Sequence, residues 1–364
     1  METEAYFGYI KTMNNSFVQD FHKILSKEFP QFLKKYLNIP ILSRLKGVGL
    51  LCGTDWTALY RNRFFYSRFD HSVGTALVAW NFSQDKKQTL AALFHDIATG
   101  VFSHVNDFRK GDALKQELSE NETFNILAGD EKLAGLLKKD RIELEEIADY
   151  HIYPLCDNEI PRLSADRLEY MFPSNMALAF LNNGHVWTFE ETEEIYKNIC
   201  VLKNESGKDE LGFSDLKLAE LYTEGFCDCS LILQHNENKL ALNMLGKIVN
   251  LAIEKKLITE KDCMALSEKK VIEIFDEYAV LNDDYLSSLI KKWRTMTQIE
   301  RFCQEPGQNY YSVNLEVKKR YIDPLVKQFS GKVERVSEAS FRAQKMIQSL
   351  LSFKDSEYGA VKLL

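Results

Sequence analysis

The sequence has 364 residues, a net charge of −7 and 45% hydrophobic residues. This length is sufficient to bury a full hydrophobic core and is long for one domain, so we expect a large domain with an appendage, or two domains. The acidic balance argues against a nucleic-acid partner or an anionic membrane surface, because affinity for phosphate backbones comes largely from accumulated Lys and Arg. A small anionic substrate remains compatible, since a bound cation can set the local field.

Two further features bear on the cellular compartment. The N-terminal segment METEAYFGYIK carries acidic residues and lacks an apolar run, so a secretory signal is not expected. No stretch of about 18 uncharged apolar residues occurs, and seven scattered cysteines fit reduced thiols. We therefore expect a cytoplasmic protein without a membrane partner.

Apolar residues recur at helical spacing through most of the chain. Between residues 73 and 80 they are spaced by three and four, which predicts a helix with His71 in its first turn. The same spacing over residues 90–97 predicts a helix around the pair His95 and Asp96. Further helices are predicted over residues 144–150, 163–172, 189–199, 216–233, 240–255 and 285–296.

The pattern changes after about residue 300. Residues 304–309 are rich in turn formers, and the partly alternating, aromatic residues 310–317 predict a strand. A second strand over residues 332–336 leads into a helix over residues 338–353. We expect a mostly α protein, with residues 1–300 all-helical and residues 301–364 forming a small α+β C-terminal segment. Residues 204–212 are the best candidate for a mobile loop.

His71, the adjacent His95 and Asp96, and the distant Asp166 form an H…HD…D series. Imidazole and carboxylate ligands together suit divalent ions such as Mn, Fe, Ni, Co, Zn or Mg. A bound cation lowers the pKa of its water and neutralises phosphoryl oxygens, as hydrolysis of a phosphate ester requires. The four residues therefore predict one metal site. The alternative for His71 and Asp166 is a polar group at a helix N-terminus.

The residues around these four positions resemble the HD-domain metal-dependent phosphohydrolases, and within them the deoxynucleoside triphosphate triphosphohydrolase branch. The resemblance is carried by SRFDHSVG around His71, LFHDIATGVFSH around His95 and SADRLEY around Asp166. It covers residues 44–170 and extends to residues 257–275. It implies an HD-domain helical bundle, which the C-terminal α+β appendage would follow, and a homo-oligomer.

The resemblance also implies roles for residues beyond the ligands. His104 and Asp107 match a second His and Asp of the family, where the His faces the phosphate as a charge donor or general acid. Tyr170 matches a tyrosine that contacts substrate phosphate or sugar, with core packing as the alternative. Arg68, about one helical turn before His71, suits a phosphate oxygen, and its alternative is an ion pair. Arg167 is expected to add positive charge beside Tyr170 or to be solvated.

Three positions depart from the family pattern. Thr99, expected at the substrate, replaces a histidine that assists attack at the α-phosphate. Asn121 replaces the histidine of a His-Glu pair, of which Glu122 remains as a candidate base or orienting carboxylate, or as a helical surface residue. By rough alignment, Leu50 replaces a glutamine that reads the deoxyribose.

These patterns lead to two functional hypotheses. The first is a metal-dependent phosphohydrolase whose partner is a small phosphorylated substrate, expected to be a nucleotide. If it is a triphosphohydrolase, the resemblance implies release of nucleoside and intact triphosphate. The second is a regulatory HD-domain module that binds metal and nucleotide but has lost efficient turnover. The three departures from the family pattern motivate it, since positioned proton donors typically contribute a factor of about 10² to 10⁴ to the rate.

Overall fold

The structure, a computed structural model, describes residues 16–62, 64–109, 111 and 122–363. Helices account for most of it, as predicted. They are α1 (residues 16–25), α2 (Pro40–Ser43), α3 (Arg68–Ser83), α4 (Lys86–Phe94), α5 (Val105–Arg109), α6 (Thr123–Ala128), α7 (Glu131–Asp140), α8 (Glu145–Ala148), α9 (Ala165–Leu178), α10 (Phe189–Lys197), α11 (Leu216–Gln234), α12 (Asn236–Glu254), α13 (Glu260–Ala265), α14 (Glu268–Leu281), α15 (Tyr285–Thr295), α16 (Val336–Ala339) and α17 (Phe341–Ser352). The strands are β1 (Ile199–Lys203), β2 (Asp209–Phe213), β3 (Glu300–Phe302), β4 (Tyr310–Val313), β5 (Leu325–Lys327), β6 (Val333–Arg335) and β7 (Tyr358–Lys362).

Local capping fixes where two important helices begin. The Ser67 side chain accepts a hydrogen bond from the backbone of Asp70 in a capping box, so α3 begins at Arg68 and His71 lies in its first turn. Ser164 caps α9 in the same way through the backbone of Arg167. The helix predicted through residue 97 is shorter than expected, since α4 ends at Phe94 and the chain turns at the HD pair.

The strands form two small sheets. One has the order β1-β2-β5-β6, and the other has the order β3-β7-β4. In the first sheet β2 and β5 run parallel, while the other neighbours are antiparallel. The strands β5 and β6, which follow residue 300, therefore belong to the same sheet as β1 and β2, which precede it.

The prediction that residues 1–300 are all-helical is wrong at β1 and β2. These strands form a hairpin, and the supposed mobile loop over residues 204–212 consists of a tight turn and part of β2. The backbone N–H of Asn204 donates a hydrogen bond to the Lys208 carbonyl at 2.9 Å across this turn. The polar residues that suggested a loop include Glu210, which is fully buried and bound by Arg335. A buried ion pair thus accounts for a strand with a loop-like sequence.

Three helices bring the candidate ligands together. α3 packs against α4 and α9, and apolar residues such as Leu77, Leu93 and Leu168 are fully buried at these contacts. The first turn of α3, the C-terminal end of α4 and the first turn of α9 therefore meet. No helix in the described part of the chain has the length and apolar character that a membrane crossing requires.

Candidate metal centre

The four predicted ligands converge on one point. The Nε2 atoms of His71 and His95 are 3.2 Å apart. Oδ1 of Asp166 lies 3.0 Å from Nε2 of His71 and 3.6 Å from Nε2 of His95. Oδ2 of Asp96 lies 3.8 Å and 3.6 Å from the same two nitrogens. In particular, His71, His95 and Asp96 offer ligand atoms within 4.8 Å of one another, a spacing at which they could hold a metal ion.

A hydrogen bond from Nδ1 fixes the orientation of each imidazole ring. Nδ1 of His95 donates to the Ala92 carbonyl at 2.7 Å, and Nδ1 of His71 donates to the Glu169 carboxylate. Each ring therefore directs Nε2 towards the other ligands. Glu169 is completely buried and also accepts a hydrogen bond from the Tyr66 hydroxyl at 2.5 Å. An acceptor behind a ligand histidine is typical of metal sites, because it sets the tautomer and the ring angle.

The charges around this point favour a cation. Burial alone would lower the pKa of His71, but Glu169 and Asp166 outweigh it and raise that pKa to about 10. Burial alone would also raise the pKa of Asp166, yet His71 and His95 lower it to about 2. The cluster thus holds a proton strongly, and a metal ion would replace that proton at His71.

Arg68 is bound to a ligand of the cluster. Its Nη1 donates to both carboxylate oxygens of Asp96, at 2.8 Å and 2.7 Å, and its Nε donates to the Ser103 hydroxyl at 2.7 Å. Burial would raise the pKa of Asp96, but Arg68 and the two histidines hold it well below its usual value. The ion-pair alternative is therefore the arrangement present, and the phosphate contact of Arg68 stays a prediction, since Arg68 also lines the cavity described below.

Thr99 is also directed at Asp96. Its hydroxyl donates to Oδ1 of Asp96 at 3.0 Å, and its carbonyl accepts from Arg44 at 2.8 Å. Thr99 is buried and lines the cavity beside the candidate ligands. Its role at the substrate stays a prediction.

The cluster lies in the wall of a cavity of about 240 Å³. The cavity also brings together four predicted positions, namely Leu50, His104, Arg167 and Tyr170. Nδ1 of His104 donates to Oδ2 of the buried Asp107 at 3.0 Å, so Asp107 orients His104 from outside the cavity wall. The rings of Tyr170 and His71 have centroids 6.4 Å apart, and burial raises the pKa of Tyr170 to about 12.

Arg167 lies near Tyr170 as predicted but is paired with other residues, and Glu122 is placed differently from the prediction. Nη1 of Arg167 donates to Oδ1 of Asn158 at 2.7 Å, and Nη2 lies 3.2 Å from Oδ1 of Asp157, so its charge is already engaged. Glu122 is exposed just before α6 and is not among the described residues that line the cavity. The structure does not bring Glu122 into the site, and Asn121 lies outside the described residues.

Three residues of the site were not assigned from the sequence. Glu169 lies one helical turn after Asp166, a spacing that places both carboxylates on one face of α9. The ring of Tyr150 lies against that of His95 in a tilted arrangement, with centroids 5.0 Å apart. Arg320 lies in the basic run from Lys318 to Arg320, and its Nη2 is 3.3 Å from Nε2 of His104. Of these three residues, only Glu169 has a local signal in the sequence, namely its spacing of one helical turn from Asp166.

Comparison with known proteins identifies this part of the chain. The family model described as HD domain matches residues 68–169, so the chain contains an HD domain. It is also similar to the uncharacterized protein YdhJ of Bacillus subtilis (strain 168), with 22% identity over 323 residues that cover 86% of this chain and 92% of that protein.

Two solved structures share the fold. A phosphohydrolase from Bacteroides thetaiotaomicron VPI-5482 matches with a TM-score of 0.57 and 15% identity, over 91% of this chain and 95% of that one. A hypothetical protein from Aquifex aeolicus matches with a TM-score of 0.55 and 14% identity, over 92% and 93% of the two chains. The HD-domain assignment made from the sequence is thus confirmed, while the triphosphohydrolase branch stays a prediction.

Proposed function

We propose that the protein is a metal-dependent phosphohydrolase that acts on a nucleotide or a related phosphate ester. The observation that carries this proposal is the convergence of two imidazole nitrogens and two carboxylates in the wall of one cavity, within the HD-domain match. The phosphohydrolase among the proteins of similar fold supports the same class of reaction.

The donor set fits a divalent cation. His71, His95, Asp96 and Asp166 would hold it, and their mixed nitrogen and oxygen ligands suit Mn, Fe, Ni, Co, Zn or Mg. When bound, such an ion supplies Lewis acidity at a phosphoryl oxygen and lowers the pKa of water. Glu169 and the Ala92 carbonyl keep the two rings in position, and Arg68 keeps Asp96 ionised.

His104 is the best placed proton donor of the cavity wall. Asp107 fixes its ring through Nδ1 and Nε2 faces the cavity, so that His104, once protonated at Nε2, would pass this proton to a leaving oxygen. Tyr170 and Tyr150 flank the candidate ligand histidines His71 and His95. Apolar residues further along the same cavity, such as Phe226 and Leu242, offer a surface for a nucleobase. Deoxynucleoside triphosphate hydrolysis is the narrower form of this proposal.

A regulatory module is the second candidate. Thr99 favours it, because its hydroxyl is bound to Asp96 where the resembled family has a histidine that assists attack at the α-phosphate. Such a protein would bind metal and nucleotide without efficient turnover.

One experiment separates these functions. Elemental analysis of the purified protein is followed by measurement of phosphate, pyrophosphate and triphosphate release from a nucleotide panel, with Mn, Fe, Ni, Co and Mg. Release that disappears in Asp96→Ala supports the hydrolase. Saturable nucleotide binding without release supports the module, and a protein that binds neither metal nor nucleotide overturns both. The expected homo-oligomer and cytoplasmic location stay predictions.

A further inference from the structure

A completely buried carboxylate lies outside the metal cluster, at the start of α14. It belongs to Glu268, the first residue of that helix. Its Oε1 accepts hydrogen bonds from two backbone amides, that of Gly49 at 2.9 Å and that of Phe102 at 3.0 Å. Its Oε2 accepts a hydrogen bond from Nε1 of Trp56 at 2.7 Å. This side chain therefore joins the start of α14 to two distant segments of the chain, over residues 49–56 and around residue 102.

The backbone at Phe102 and Ser103, in the turn that follows the HD pair, has an uncommon conformation. The φ angles of these residues are 60° and 51°, in the left-handed region that residues with a side chain rarely adopt. Such a conformation persists only where the surrounding structure holds it. Here the Phe102 amide donates its hydrogen bond to the buried Glu268 carboxylate. Glu268 therefore stabilises the turn that places the Ser103 side chain.

The Ser103 hydroxyl connects this turn to the metal centre. It donates to the Gly49 carbonyl at 2.9 Å and accepts a hydrogen bond from Nε of Arg68 at 2.7 Å. Nη1 of the same arginine donates to both carboxylate oxygens of Asp96, a candidate ligand. Because Glu268 binds the amide of Gly49 and that of the residue before Ser103, it holds both groups that position this hydroxyl. A continuous series of hydrogen bonds thus extends from Glu268 to Asp96.

We propose that Glu268 is a positioning residue of the metal centre, which acts on Asp96 through Ser103 and Arg68. The hydrogen bonds of Glu268 described above go to groups that are not proposed ligands, so its effect on a cation is indirect. With Glu268 in place, the turn directs the Ser103 oxygen at Arg68, and Arg68 in turn fixes the angle of the Asp96 carboxylate. This inference rests on the proposed function, because it concerns the same metal site, but metal binding alone can test it.

Glu268→Gln is the first test. A glutamine has nearly the same shape as glutamate, but its amide nitrogen would face at least one of the N–H donors that the carboxylate now accepts. We expect the affinity for Mn²⁺, measured by calorimetry, to fall about tenfold, as is typical when a group that supports a metal ligand is changed. Urea denaturation verifies that the variant is folded. Glu273→Gln, at an exposed position of the same helix, is the matched control and should bind Mn²⁺ as the wild type does.

Ser103→Ala tests whether the effect of Glu268 passes through the Ser103 hydroxyl. This variant alone should lower the affinity for Mn²⁺ about tenfold, because Arg68 loses the acceptor of its Nε. In the Ser103→Ala background, Glu268→Gln should change the affinity less than about twofold, since the series of hydrogen bonds is already interrupted. An equal loss of affinity in both backgrounds would overturn the proposal, because a purely structural effect of Glu268 adds independently of Ser103.

Two further results separate this inference from the stability of the variants and from the proposed function. Wild-type Mn²⁺ affinity of Ser103→Ala would overturn the inference even if Glu268→Gln did not fold, because the series requires this hydroxyl. A wild type that hydrolyses phosphate esters, with unchanged Mn²⁺ affinity in a folded Glu268→Gln, would contradict the role of Glu268 and leave the phosphohydrolase proposal intact. Reduced Mn²⁺ affinity in both single variants of a protein that cleaves nothing would support the role of Glu268 and contradict the hydrolase.

Discussion

The carboxylate of Glu169 lies behind the imidazole of His71 and accepts the hydrogen of Nδ1, on the side of the ring opposite to Nε2 and Asp166. Such acceptors fix the angle and the basicity of a metal-binding histidine. The complete burial of Glu169 removes competition from water, which strengthens its hydrogen bond with His71.

Glu169→Gln is therefore expected to lower metal affinity about 10- to 100-fold, as is typical when the group behind a ligand is changed. The amide has nearly the same shape but lacks the negative charge that supports His71. Titration with Mn²⁺ or Zn²⁺ measures the affinity, and circular dichroism verifies folding. Glu277→Gln, at an exposed position of α14, is the matched control. Unchanged affinity in Glu169→Gln would remove the orienting role of Glu169.

Arg68→Lys tests whether this arginine acts on the metal centre or on the substrate. A lysine keeps a positive charge near Asp96 but cannot also donate to Ser103, so we expect metal affinity to fall about tenfold. A substrate role would instead raise KM and leave metal occupancy unchanged. Metal content and steady-state kinetics are compared with those of Arg342→Lys, which changes an exposed ion pair.

The sequence could predict the ligand set because its signals are local. Ser67 and Ser164 begin the helices that carry His71 and Asp166, and the other two ligands are adjacent in the chain. Helical periodicity then places His71 and Asp166 on buried helices and the HD pair at the C-terminal end of α4, and α3, α4 and α9 pack together as such faces require.

What the sequence could not predict depends on partners that are distant in the chain. Glu210 lies in β2, and its partner Arg335 is 125 residues away. The ion pair with Arg335 allows the charged Glu210 to be buried in a strand, whereas a charged residue in a polar segment is more typical of a loop. Arg320 is likewise separated from His104 by 216 residues, and no periodic pattern in residues 317–322 indicates a cavity wall. The role of Glu122 was inferred from the resemblance to a His-Glu pair of the family, and its exposed position agrees with the alternative of a surface residue.

His104→Gln is expected to keep the bound metal and to reduce turnover by about 10² to 10⁴, because it removes a positioned proton donor. The ring contacts Asp107 and Arg320 and none of the proposed ligands, so metal content should match the wild type. His185→Gln, at an exposed position, controls for the substitution itself. A wild-type rate in His104→Gln would remove this residue from catalysis, and loss of metal would assign it to the metal centre.

Asp55→Asn tests how much stability the fold loses by burying a carboxylate beside Glu268. Burial is the main cause that raises the pKa of Asp55 from 3.8 to about 7, and the charge of Glu268 adds to it, while a hydrogen bond from Asn62 opposes it. The folded protein therefore holds this proton more tightly than the unfolded chain does. The stabilising contribution is fully present below pH 3.8 and is lost as the pH rises through about 7.

An asparagine stays neutral at every pH. The free energy of unfolding of Asp55→Asn, relative to the wild type, should therefore increase by about 2–4 kcal/mol between pH 5 and pH 8. Urea denaturation at several pH values measures this difference, and Asp283→Asn at an exposed site serves as the control. A difference between variant and wild type that does not depend on pH would contradict a protonated Asp55. It would then follow that Asp55 is ionised in the folded protein over this pH range, beside a Glu268 carboxylate that accepts hydrogen bonds from the Gly49 and Phe102 backbone amides.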